Sequence, residues 1–243
     1  MGINDAVRVR QEDLICSKKK MMGLGNLFSS LKWFIVKLSA LKVASEQLLP
    51  DEDTRAQRAA FNPNDQADLP LTKDMVLRFE ALLQTYHQLI DMILFTMRLE
   101  VRVITVYYLD LAMRKGNYEV DESSNNPDIN VIKLNNEINE LDEAASRTLT
   151  EEERRFLFDG VGLLMDKILM SATKTINKAS SQGAGKMLRN ISALQQNLKT
   201  IITWPVGIDF SQSRKFWELF LQDPKVSIFL LYLFCYYFYF RIG

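Results

Sequence analysis

The sequence predicts an all-α fold, and three observations carry that reading. Thr72 to Lys115 runs more than forty residues without Pro or Gly, with apolar residues at helical spacing. The six prolines, at 50, 63, 70, 127, 205 and 224, fall between apolar-periodic segments and never inside one. Proline removes a backbone donor and clashes with the preceding turn, so these positions punctuate helices. The alternation of period two expected of half-buried strands is absent throughout. The pattern predicts helices stacked antiparallel in an elongated bundle or rod.

The elements follow in order. Leu24, Leu27, Phe28, Leu31, Phe34, Ile35, Leu38 and Leu41 form one stripe, predicting a helix from about Leu24 to Leu49. Pro50 to Pro70 is rich in Asp, Asn, Gln and Arg and reads as a poorly ordered polar linker. Thr72 is the expected N-cap of the long helix, with Asp74 in its first turn. Such a helix would reach roughly 65 Å at 1.5 Å per residue. Gly116 is expected to end it in the left-handed cap conformation. Within it, Leu99 and Val103 lie four residues apart and are expected to be buried together, with Arg102 partly exposed or paired.

After a polar loop through Pro127, Val131, Leu134, Ile138 and Leu141 place a helix over about Asn130–Ala145. Thr150 with Glu153 three residues on is a capping box. It opens a helix expected to run past Ile176 until Gly183 and Gly185 break it. Met187, Ile191, Leu194, Leu198 and Ile201 form the next amphipathic face, and Asp209 is the expected cap of a short helix ending near Gln222. The long helix is expected to pack against the Thr150–Ser180 and Ala184–Ile202 segments. The resulting parts are an N-terminal helical segment (1–49), the linker (50–70), a bundle (71–222) and an apolar tail (223–243).

Composition narrows the function. Thirty basic residues balance thirty acidic ones, so no strong field for nucleic acid or anionic lipid is built in. Lys18-Lys19-Lys20 reads as a solvated run. Cys16 and Cys235, near opposite ends, make no disulfide framework and suit a reducing compartment. Met1 to Arg10 is polar and predicts no secretion signal.

The sequence is expected to hold no catalytic, cofactor-binding or metal-binding residues. His87, the single histidine, stands one turn from Asp91 without the further ligands or nucleophile that a metal site or triad needs. Gly183-Ala184-Gly185-Lys186 lacks the earlier Gly and following Ser or Thr of a phosphate loop, which leaves a helix break. Asn190-Ile191-Ser192 spells a glycosylation acceptor but lies inside a predicted helix. Glu151-Glu152-Glu153 with Arg154-Arg155 reads as helix N-terminal charge and a solvated face. An enzyme is therefore disfavoured, and no nucleic acid or small-molecule substrate is expected.

Five segments, in order, resemble the exocyst complex component 4 family of vesicle-tethering subunits. They are Leu99-Glu100-Val101-Arg102-Val103, Lys115-Gly116-Asn117-Tyr118, Val131-Ile132-Lys133-Leu134-Asn135, Phe158-Asp159-Gly160-Val161-Gly162, and Arg189-Asn190-Ile191 with Leu194-Gln195-Gln196-Asn197-Leu198. The likeness extends faintly to Phe28-Ser29-Ser30-Leu31-Lys32-Trp33 and to Asp209-Phe210. Family members are several times longer, and the region matched falls in their C-terminal half. Their coiled-coil N-terminal region is missing here, so the chain reads as a partial copy or an incomplete gene model. The resemblance implies a rod of stacked helical bundles and a non-enzymatic role in docking secretory vesicles at the plasma membrane. The implied partners are other exocyst subunits, with vesicle and plasma membrane reached indirectly through the complex. The implied location is cytoplasmic and peripheral at the plasma membrane.

Val226 to Phe240 departs from this pattern as an uncharged apolar run between Lys225 and Arg241. Fifteen residues rise only about 22 Å as a helix, short of a hydrocarbon core near 30 Å. Two readings stay open: a stretch foreign to the fold, as translated noncoding sequence would be, or a buried helix or membrane contact, the latter making the chain a tail-anchored adaptor. On the first reading the run is an exposed apolar patch that promotes aggregation.

Overall fold

A computed structural model describes residues 18–47, 73–119, 126–172, 176, 179–203 and 208–221. Pro50–Pro70, both cysteines, Thr72 and the apolar tail lie outside the described residues. Those that are described form seven α-helices: α1 (Lys18–Gln47), α2 (Lys73–Lys115), α3 (Ile129–Ser146), α4 (Glu151–Phe158), α5 (Val161–Ser171), α6 (Ser181–Ile201) and α7 (Ser211–Leu219). No strand occurs among them. The fold is all-α, as the spacing predicts.

The chain divides into two compact units, one of Gly23–Phe95 and one combining Met1–Met22 with Thr96–Gly243. In the first, Phe28 and Ile35 of α1 and Ile93 of α2 are buried. Phe34 meets Tyr86 edge-on at 5.3 Å, and Lys42 pairs with Glu80 at 2.5 Å. Positions that rise along α1 thus meet positions that fall along α2, which makes the two helices antiparallel.

The second unit holds the larger core. Val131, Leu134, Ile138 and Leu141 of α3 are fully buried, as are Leu157 and Phe158 of α4 and Met187, Ile191 and Leu194 of α6. The most extensive backbone neighbourhoods are those of α6 with α7, α3 with α6, α5 with α7, and α3 with α4. The final part of α2 reaches its neighbours through side chains, with the Tyr108 hydroxyl donating to Glu137 of α3. Arg154 of α4 clasps Asp142 of α3 at 2.7 Å.

Several boundaries differ from those predicted. Thr150 accepts from the Glu153 N–H while Glu153 accepts from the Thr150 N–H, so the capping box is formed. The helix it opens stops at Phe158, because Gly160 takes φ +76°, a left-handed conformation that costs other residues more. The expected break at Gly183 and Gly185 does not occur. Both lie inside α6, which Ser180 caps through the Gly183 N–H. Gly116 ends α2 without a left-handed φ. Its N–H still bonds to the Ala112 carbonyl at 3.0 Å, and a Cβ there would overlap that carbonyl and the Tyr118 ring. Asp209 turns the chain into α7 by accepting from the Ser211 N–H and hydroxyl, although Phe210 holds the cap position. α7 ends at Leu219 rather than near Gln222.

One burial expectation fails. Leu99 is 44 % exposed and Val103 half-buried, whereas Val101 is fully buried. The inward stripe is Met97, Val101, Ile104 and Thr105. Neighbouring helix positions differ by about 100°, so an error of two positions carries a side chain across the helix. Arg102 behaves as expected, half-buried and paired.

Candidate functional site

A connected polar arrangement is built around Tyr118, just beyond the end of α2. Its ring is buried and its hydroxyl donates to the Ala112 carbonyl at 3.2 Å. The same hydroxyl accepts from Asn190 Nδ2 of α6 at 3.3 Å. Asn190 Oδ1 accepts from the Asp128 backbone N–H at 2.7 Å, and the Asp128 carboxylate caps α3 through the Asn130 N–H at 2.9 Å. Lys186 of α6 closes the circuit, 3.2 Å from Asp128 Oδ2 and 5.4 Å from the centre of the Tyr118 ring.

This arrangement fixes three helix ends at once. The Tyr118 carbonyl accepts from the Ser180 N–H at 2.9 Å, at the start of α6. Gly183 lies so close that a Cβ would overlap that carbonyl oxygen. Burial, and then the Asp128 carboxylate, push the Tyr118 phenol well above the ordinary tyrosine range, so it stays neutral and donates. Each polar group is committed to an internal partner, which suits a structural clasp.

A second clasp holds the turn between α4 and α5. Arg102 Nη2 donates to the Asp159 carbonyl at 2.7 Å, and Arg98 lies 4.3 Å above the Phe156 ring. Arg98 also approaches the Asp159 carboxylate at 3.6 Å. Burial, and then Arg98 beside it, lower the Arg102 pKa, while Asp159 opposes the shift. A third clasp joins α5 to α7: the buried Asp166 carboxylate accepts from the Ser213 hydroxyl at 2.6 Å and from its N–H at 3.1 Å.

The residues weighed from sequence fall elsewhere or take other roles. His87 is exposed on α2. Among the described residues no group of three or more His, Cys, Asp and Glu is placed to hold a metal ion. Gly183-Ala184-Gly185-Lys186 forms the opening of α6. Asn190 is fully buried with its amide engaged, so it offers no glycosylation site in the folded chain. Lys18 of the basic run pairs with Glu143 at 2.6 Å. The clasp residues Tyr118, Asp128, Lys186 and Asn190 do not stand out as a group in the sequence. The one readable signal is Asp128 directly after Pro127, a helix-start pattern.

The five segments that carry the family resemblance are fastened in two groups, the first to the fourth, and the second and third to the fifth. Arg102 of the first holds Asp159 of the fourth, and Tyr118 of the second meets Asn190 of the fifth. Asn135 of the third donates to the Ala193 carbonyl, and its own carbonyl accepts from Asn197 of the fifth. No family model matches the chain. It is 30 % identical over 213 residues to exocyst complex component 4 of Mus musculus, which covers 86 % of this chain and 21 % of that protein. With the human protein of the same name it shares 28 % identity over 214 residues, at the same coverage. Over most of its own length the chain is thus similar to exocyst complex component 4 of both mammals. A probable exocyst complex component sec8 of Neurospora crassa is also 28 % identical, over 225 residues. The chain spans about a fifth of the length of these relatives.

Proposed function

We propose that this chain serves as a non-enzymatic part of an exocyst-type complex that tethers secretory vesicles to the plasma membrane before fusion. The observation that carries the proposal is the pairing of the family-like segments by polar contacts, exposed between Arg102 and Asp159 and buried or half-buried at Tyr118 and Asn135. A likeness that had arisen by chance would have no reason to place Arg102 on Asp159 and Tyr118 on Asn190. The bundle of residues 71–222 is the part to which we assign the role. Its partners are other exocyst subunits, and vesicle and plasma membrane are reached through the complex. The chain then works in the cytoplasm, peripheral to the plasma membrane.

Tethering asks for long side surfaces held in fixed register, and helices provide them. No bond is made or broken, so polar groups can be spent on fastening helix ends. Among the described residues no helix is long and apolar enough to cross a membrane. The alternative of a tail-anchored adaptor rests on Val226–Phe240, outside the described residues. The deciding experiment is affinity isolation of the tagged chain from cells, with the recovered proteins identified by mass spectrometry. Recovery of other exocyst subunits is expected. A folded chain that recovers none of them would refute the proposal.

A further inference from the structure

We draw no further inference here: the strongest candidate, the row of exposed apolar side chains along α2 at Leu82, Leu89, Met92 and Leu99, is an unpartnered helix face, and nothing in the structure shows what covers it.

Discussion

Gly183 and Gly185 lie two residues apart near the start of α6, and alanine should act on them in opposite directions. Alanine in a helix gains about 1 kcal/mol over glycine through backbone entropy. At Gly185 nothing opposes that gain: the heavy atom nearest to an added Cβ is Arg189 Nη1 at 3.5 Å, an ordinary contact with a flexible side chain. At Gly183 the Cβ overlaps the Tyr118 carbonyl oxygen, which is held by the Ser180 N–H at 2.9 Å. The two backbones must part. That adds overpacking of about 1–3 kcal/mol and weakens a hydrogen bond worth about 1 kcal/mol. Gly183→Ala should therefore destabilise by about 2 kcal/mol after the helix gain, and Gly185→Ala should stabilise by up to about 1 kcal/mol. For a unit of this size the corresponding shifts in Tm are about 4–8 °C downward and about 1–4 °C upward. Urea denaturation followed by circular dichroism, with thermal melts beside it, measures both. Equal effects of the two substitutions, or a stable Gly183→Ala, would refute the close approach of α6 to Tyr118.

Three further outcomes follow from the same geometry. Asn190→Ala removes the acceptor of the buried Asp128 N–H and a donor to the Tyr118 hydroxyl, and should cost about 2–4 kcal/mol in urea denaturation. Tyr118 has a raised pKa in the folded chain, so its contribution is complete below the unfolded value near 10 and declines as pH rises above it. Tyr118→Phe should be less stable at neutral pH by about 1–2 kcal/mol yet lose less stability between neutral and strongly alkaline pH than the parent, as read by denaturation across that range. Val101→Ala empties a fully buried site and should cost about 2 kcal/mol, whereas Leu99→Ala, on the exposed side, should change stability by less than about 0.5 kcal/mol.

Local signals are legible where the physics is local. The Thr150–Glu153 capping box needs only residues within one turn, and it forms as its letters suggest. Proline positions separate helices for the same reason. Glycine misleads because its letter does not say which of two services it performs. Gly160 supplies a left-handed φ and ends a helix, while Gly183 supplies empty space for Tyr118 and leaves its helix intact. The second service depends on a partner sixty-five residues away in sequence, and no local pattern announces it. The burial of Val101 in place of Leu99 has a similar cause: α2 carries apolar residues on more than one side, and only its neighbours decide which faces inward. The Tyr118 clasp is illegible as a group because Asp128 and Asn190 are sixty-two residues apart.

Those separations also set the order in which the chain can complete itself. Tyr118 is synthesised 72 residues before the Asn190 that engages its hydroxyl. At about 5–20 residues per second, roughly 4–14 s pass on the ribosome before α6 exists to receive it. Through that interval the end of α2 has its own Ala112 carbonyl as a partner and little else. Closing so wide a loop is also entropically slower than pairing adjacent helices. A nascent chain stalled within α5 would therefore present the apolar side of Tyr118 and α2 to chaperones, and release past Asn190 would withdraw it.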